Sequence, residues 1–266
     1  MLARFKAAAV HAAPVFLDSQ ATTEKAISIM REAARAGAEL IAFPETYIPA
    51  FPVWAALWPP IDNHDLFVRM AAQSVSADGP EVARLCAEAR ALGVTVSIGI
   101  SERSAVSVGG LWNSNLLIGE TGEILVHHRK LVPTFYEKLV WSSGDGAGLV
   151  VAETRQGRIG GLICGENTNP LARFALMAQG EQVHISSWPP MWPTRRPAGG
   201  GNFDNVAANR IRASAHCFEA KVFGIVTAGY MDEPMRAFLI ERDRTIADVI
   251  DRTPRAASFF VDPTGV

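Results

Sequence analysis

Residues 158 to 170 read Arg-Ile-Gly-Gly-Leu-Ile-Cys-Gly-Glu-Asn-Thr-Asn-Pro, and this stretch decides the architecture. The apolar run Arg158 to Ile163 has the length and composition of a short buried strand. Asn169 before Pro170 reads as a helix N-cap with proline in the first turn, so a helix is expected over Pro170 to Gln179. A strand that runs into a helix belongs to a protein in which helices pack on sheets. Cys164 stands at the corner. A cysteine in general is more often a small buried hydrophobe than a reactive group. Near a helix N-terminus, however, unpaired N–H groups and the helix dipole favour a thiolate.

Outward from this corner, helical and extended patterns alternate along the chain. Phe5 to Ala12 reads as the first strand, Thr22 to Ala36 as a helix stopped by Gly37, and Glu39 to Phe43 as a short apolar strand. Asp78 to Leu92 is amphipathic, with Pro80 at its start, Gly93 at its end, and Val82, Leu85, Cys86, Ala89 and Leu92 on one stripe. Strands follow at Val94 to Glu102, Leu111 to Ile118 and Ile124 to His128, the last two joined by a Gly-rich turn. Gly148 to Glu153 and Arg158 to Ile163 form a hairpin-like pair. Beyond the corner come a strand at Gln182 to Ser187, a helix at Phe203 to Ala220, a strand at Val222 to Thr227 and a helix at Pro234 to Ile250. The hairpins make the sheets mixed rather than purely parallel, so the residues alone predict a mixed α/β fold. Ala257 to Val261 reads as a strand and Asp-Pro-Thr-Gly as a turn. Val266 then begins what should be a returning strand, so the full-length protein is expected to continue, or another chain to supply that strand.

With 266 residues, 48% of them hydrophobic, and no linker, the chain reads as a single domain over 1–266. A formal charge of −2 with scattered basic residues gives no pull toward nucleic acid or anionic membrane, so the expected partner is a small molecule. Cys86, Cys164 and Cys217 have neither metal-type spacing nor an even count, which fits a reducing cytoplasm. The Ala-rich N-terminus is too short and too interrupted, by His11, for a signal peptide, and no stretch approaches a membrane span.

Three apolar strands each end at a side chain able to do chemistry: Glu45 after Glu-Leu-Ile-Ala-Phe-Pro, Lys130 after Ile-Leu-Val-His-His-Arg, and Cys164 after Gly-Leu-Ile. Ligands of α/β sheets collect at the carboxyl ends of strands, so the three are expected to converge. Together they make a usable set: a thiol nucleophile, a carboxylate that takes its proton, and an ammonium that stabilises developing negative charge. Singly, Glu45 reads as a loop carboxylate and Lys130 as part of the basic run 127–130. His128 and His184 are alternative bases for a Cys-His hydrolase, although each sits in a strand where a structural histidine is the simpler reading. Gly144 to Gly148 is a turn, lacking dinucleotide-binding spacing. Gly199 to Gly201, after Arg195, Arg196 and Pro197, reads as a mobile loop.

Phe-Pro-Glu-Thr-Tyr-Ile-Pro-Ala-Phe-Pro at 43–52, His-Arg-Lys-Leu-Val-Pro-Thr-Phe-Tyr-Glu-Lys-Leu-Val-Trp at 128–141 and Cys-Gly-Glu-Asn-Thr-Asn-Pro-Leu at 164–171 resemble the nitrilase branch of the carbon–nitrogen hydrolase superfamily. The resemblance implies a four-layer α-β-β-α sandwich. It makes Cys164 the nucleophile, Glu45 the general base, Lys130 the electrostatic stabiliser, and Glu137 a second glutamate that orients the lysine or assists hydrolysis. The implied reaction converts a nitrile to the acid and ammonia through a thioimidate and a thioester, with no metal or organic cofactor. Homodimers that assemble into larger homo-oligomers or spirals are also implied. Tyr47, Trp54, Gly165 and Trp188 are candidate substrate contacts. Gly165 departs from the tryptophan that many nitrilases carry after the nucleophile, so the space beside the thiol is either opened for a bulkier nitrile or filled by another side chain. The rival readings are an amidase of the same superfamily and a non-catalytic assembly subunit on the same fold.

Overall fold

The computed structural model describes residues 4–193 and 203–266. Its first sheet orders β1 (Ala7–Ala9), β2 (Leu40–Ala42), β3 (Thr95–Arg103), β4 (Leu111–Ile118) and β5 (Ile124–Arg129) side by side. β1 to β3 are parallel, and β3, β4 and β5 form an antiparallel meander. The second sheet contains β6 (Ala152–Thr154), β7 (Gly157–Ile163), β8 (Val183–Trp188), β9 (Phe223–Ala228) and β10 (Phe259–Val261), in the order β10-β9-β8-β7-β6. Here β7, β8 and β9 are parallel and both edges antiparallel.

Alternation along the strands sends one set of side chains between the sheets and the other toward helices. Leu40, Ala42, Leu117, Ile159, Val183 and Ile185 form the inter-sheet layer. Outside the first sheet lie α1 (Ser19–Arg35) and α3 (Pro80–Leu92), whose Ile27, Met30 and Leu85 pack on Ile41, Val96 and Ile98. The shorter α2 (His64–Gln73) precedes α3. Outside the second sheet lie α4 (Pro170–Ala178), which packs Ala172 and Leu176 on Leu162, and α5 (Asn205–Ala220), which packs Ala213 and Cys217 on Val226. The four layers are those of an α-β-β-α sandwich.

The element boundaries have local causes. Asp18 caps α1 by accepting from the Ala21 N–H, and Asn169 caps α4 by accepting from Leu171 and Ala172. Pro80 and Gly93 bracket α3 as the sequence predicts, Gly93 with φ +63°. Cys86 is half-buried at the edge of that core. The helix expected over Pro234 to Ile250 is instead two, α6 (Glu233–Arg242) and α7 (Ala247–Arg252). Asp243 takes an extended backbone between them, accepting from the Thr245 N–H and the Trp58 indole, a side-chain competition that ends a helix. The first strand is also shorter than Phe5 to Ala12, and α2 carries too few buried positions, Leu66 and Met70, to announce itself by periodicity. The Asp262 turn forms, with the Gly265 N–H donating to the Asp262 carbonyl. Gly199 to Gly201, expected above as a mobile loop, lies outside the described residues.

Candidate active site

Glu45 follows β2 on a loop pressed tightly onto β3. A Cβ at Gly99 would meet the Thr46 nitrogen at 2.3 Å and the Pro44 carbonyl oxygen at 2.5 Å, so only glycine permits this approach. One carboxylate oxygen, Glu45 Oε1, accepts from Asn113 Nδ2 of β4 at 2.7 Å and from Lys130 Nζ at 2.8 Å. The other, Oε2, is buried and has no hydrogen-bond partner among the described residues. Lys130, one residue past β5, also donates to Glu137 Oε1 at 2.9 Å and Oε2 at 2.7 Å. Glu137 lies on a short 3-10 helix, Phe135–Leu139, and its Oε2 accepts from the Thr134 N–H at 2.7 Å. The side chains of all three ions are fully buried.

Cys164 follows the last residue of β7 and has φ +53°, a left-handed backbone that L side chains rarely adopt. Its Sγ and carboxylate oxygens of Glu45 and Glu137 all lie within 4.8 Å of one another. The structure therefore brings together Glu45, Lys130, Glu137 and Cys164 from three separate connections, Lys130 and Glu137 sharing the one between β5 and β6. Lys130 Nζ occupies the position between the two carboxylates that a cation would take.

The helix-dipole expectation for Cys164 is corrected. The thiol opens a 3-10 turn, Cys164–Thr168, and α4 starts only at Pro170, where Asn169 already caps the free N–H groups. Burial, reinforced by the Glu45 charge, pushes the Cys164 pKa well up, and Lys130 only partly opposes this. The resting group is a thiol. Burial also drives Glu45 up, to about 7, with Lys130 pulling it down and Glu137 pushing it further up. Burial disfavours the Lys130 ammonium, but its acidic neighbours Cys164, Glu137 and Glu45 outweigh this and keep its pKa well above the ordinary value. A thiol beside a half-titrated, partly unpaired carboxylate is arranged for proton transfer at the moment of attack rather than for a standing thiolate.

Two residues that the sequence reading passed over hold the corner. Glu166 accepts from the Ile163 N–H at 2.8 Å, the Leu131 N–H at 2.6 Å and His128 Nε2 at 2.9 Å, so one carboxylate ties the nucleophile's strand to the lysine's. Asn167 donates to the carbonyls of Leu162 and Cys164. Their signal in the sequence is a pair of polar residues beginning two positions beyond the cysteine that follows the strand. His128 is thus committed to Glu166, and His184 to Glu181 and Asn167. Both are structural histidines, as the simpler reading held.

The candidate substrate contacts are placed unequally. Tyr47 lies behind Glu45, its hydroxyl donating to the Ala13 carbonyl, beside a cavity of about 10 Å³ that admits at most one water. Its place is packing that supports the Glu45 loop. Trp54 and Trp188 are fully buried, and each keeps an indole N–H without a partner among the described residues. Trp188 packs with Cys164, and Trp54 with Phe51, Tyr136 and Trp141. At Gly165 a Cβ would meet Thr134 Oγ1 at 2.6 Å, so the space beside the thiol is filled by Thr134. Tyr136, unremarked in the sequence, stacks on Trp192 at 4.4 Å between ring centroids and has a buried hydroxyl with no partner.

A family model for carbon–nitrogen hydrolases matches residues 6–265. The chain belongs to the carbon–nitrogen hydrolase family. Within it, several relatives are named as nitrilases. A bromoxynil-specific nitrilase of Klebsiella pneumoniae subsp. ozaenae is 41% identical over 185 residues, which are 70% of this chain and 52% of that protein. An arylacetonitrilase of Hypocrea virens is 43% identical over 187 residues, 70% of this chain and 55% of that one. A protein named nitrilase 3, from an unknown prokaryotic organism, is 34% identical over 240 residues, 89% of this chain and 69% of that one. The aligned region thus spans about half the length of the first two relatives. Among solved structures, an amidase from Nesterenkonia sp. AN1 superposes with TM-score 0.73 at 17% identity, covering 99% of this carbon–nitrogen hydrolase and 87% of that chain. A Saccharomyces cerevisiae member of branch 10 of the nitrilase superfamily superposes equally well, at 16% identity. At such identities the likeness establishes the fold.

Proposed function

We propose that this carbon–nitrogen hydrolase is a nitrilase, converting an organic nitrile and two waters to a carboxylic acid and ammonia. The observation that carries the reading is a buried thiol within 4.8 Å of two carboxylates that share one lysine. The nitrile carbon is attacked by Cys164 Sγ while Glu45 takes the thiol proton. Lys130 stabilises the negative charge that builds on the nitrile nitrogen, and Glu137 orients Lys130. Protonation of that nitrogen gives a thioimidate. Water activated by Glu45 adds to it, ammonia leaves, and a thioester remains. A second water releases the acid and restores the thiol. The Gly165 N–H, at the start of a turn whose first donors lack partners within it, is a further donor to the developing charge.

The aromatic cluster of Phe51, Trp54, Tyr136, Trp141 and Trp192 beside Glu137 supports an apolar, ring-bearing nitrile. The nitrilase names of the relatives support the same activity. Exposed Leu171 and Phe174 on α4 and Ile211 and Phe218 on α5 support a homodimer formed through this face, from which larger homo-oligomers are built. Three free cysteines support a reducing cytoplasm. No helix among the described residues is long and apolar enough to cross a membrane.

The test is a panel of aromatic, arylacetic and aliphatic nitriles with wild type and Cys164→Ala, quantifying acid, amide and ammonia. Acid and ammonia in equal amounts from wild type and none from the variant support the reading. Turnover of matched amides without nitriles would replace it with an amidase, and activity persisting in Cys164→Ala would sink the mechanism.

A further inference from the structure

We propose that Asn167, His184 and Glu181 are positioning residues for Cys164, a buried relay that holds the nucleophile's backbone in its left-handed conformation; this deepens the nitrilase reading. A φ of +53° at a cysteine is a strained backbone that persists only where neighbouring groups impose it. The imposing group is the Asn167 amide. Its Nδ2 donates to the Leu162 carbonyl at 3.2 Å and to the Cys164 carbonyl at 3.0 Å, bridging the bend from the strand side to the turn side. With both N–H donors spent on carbonyls, the amide oxygen must face β8. There it accepts from Ser186 Oγ at 2.8 Å and His184 Nε2 at 2.9 Å.

The relay continues away from the thiol. His184 Nδ1 lies 2.7 Å from Glu181 Oε1, so both ring nitrogens face oxygen atoms and the ring bridges Glu181 to Asn167. Glu181 Oε2 accepts from His216 Nε2 of α5 at 2.7 Å. Every donor in the line from Glu181 to the Cys164 carbonyl is thereby directed, and a flip of the Asn167 amide would set His184 and Ser186 against an NH₂ group. These side chains are buried on the helix side of the second sheet, out of water that would otherwise compete for these bonds. The arrangement couples β8 and α5 to the one backbone carbonyl whose placement aims the thiol.

The full chain is compared with Asn167→Ala, His184→Gln and the double variant. Readouts are kcat and KM for a nitrile, the second-order rate of Cys164 alkylation by chloroacetamide followed by mass, and the melting temperature. Asn167→Ala is expected to lower both kcat and the alkylation rate by about tenfold or more, with KM within about threefold, because a misplaced nucleophile loses reaction geometry rather than substrate binding. His184→Gln should lose less. The double variant should be no slower than Asn167→Ala alone, since His184 acts through Asn167. Asn167→Ala retaining both rates within about twofold, or losses that multiply in the double variant, would overturn the relay. If Asn167→Ala does not fold, Ser186→Ala and His184→Gln each remove one donor to the same oxygen. Slower alkylation in both supports the relay, and in neither refutes it. The alkylation readout needs no nitrile, so a wild type that alkylates but hydrolyses no nitrile would defeat the proposed activity while the relay is still judged.

Discussion

Glu45 and Glu181 are both buried carboxylates at the carboxyl-terminal and amino-terminal ends of strands, each held by basic side chains, yet their acidities move in opposite directions. Glu45 rises to about 7 and Glu181 falls to about 2, although burial pushes both up and is the largest influence on each. The partners decide the outcome. Glu45 shares a single ammonium with a second carboxylate, Glu137, and has one oxygen unpaired. Glu181 faces two imidazoles, His184 and His216, one on each oxygen. An imidazole on each oxygen closes the pairing at Glu181, whereas two carboxylates sharing one ammonium leave Glu45 a base with spare proton affinity. Reactivity here comes from incomplete pairing.

The contrast breaks most visibly at its cation. Lys130→Met leaves Glu45 and Glu137 buried without a counter-charge, and is expected to cost about 3–5 kcal/mol in urea unfolding as well as all nitrile turnover. Retained stability would mean that the two carboxylates share a proton in the resting protein. Next in size, Glu45→Gln should reduce turnover by about 10²–10⁴-fold by removing the proton acceptor while keeping the side-chain shape. A loss of less than about tenfold would transfer the base role to Glu137.

The pH profiles sharpen the same contrast. With Glu45 at about 7, kcat/KM of the wild type should fall on the acid side through that value, because the protonated form cannot accept the thiol proton. Glu181→Gln should leave this limb in place. Stability should respond with opposite signs at the two sites. Glu45 is raised above its ordinary value of 4.5, so its contribution is fully present below that value and is lost as pH rises through about 7. Glu181 is depressed, so its contribution is present above 4.5 and is lost as pH falls toward about 2. Urea titrations between pH 3 and 8 should therefore flatten at the acid end in Glu181→Gln and between 4.5 and 7 in Glu45→Gln; the same pH dependence in both variants would contradict the assignment. The smallest effect is expected at Gly165→Ala. The added methyl displaces only the Thr134 hydroxyl, so turnover should change by less than about threefold, whereas Gly165→Trp must move Thr134 and should shift the preference between small and large nitriles.

How much of the site could be read from the chain follows from where each residue sits. Glu45, Lys130 and Cys164 were legible because each ends an apolar strand, and strand ends in α/β sheets gather ligands. Glu137 came only with the family motif, since a glutamate beside Lys138 in a short 3-10 helix looks like any surface pair. Asn113, in the middle of β4, was hidden inside ordinary strand alternation, and it turns out to hold Glu45 Oε1. Glu166 and Asn167 were quoted in the motif without a role, because their partners lie on other strands. The break at Asp243 was missed for a similar reason: the Trp58 indole that helps hold it comes from 185 residues away.

The chain by itself determined the kinds of elements, most of their boundaries and the residue types available for chemistry. Caps, turns and apolar periods act between neighbours, so they are written locally. It could not determine the state of those residues. The helix-dipole thiolate expected at Cys164 is a local inference, and it fails because burial and Glu45, which the fold carries across from the other sheet, set the acidity of the thiol. Lys130 reaches Glu45 across 85 positions of sequence, and His216 reaches Glu181 across 35. Charge–charge interactions and desolvation depend on distance in space and exclusion of water, and only tertiary structure supplies either.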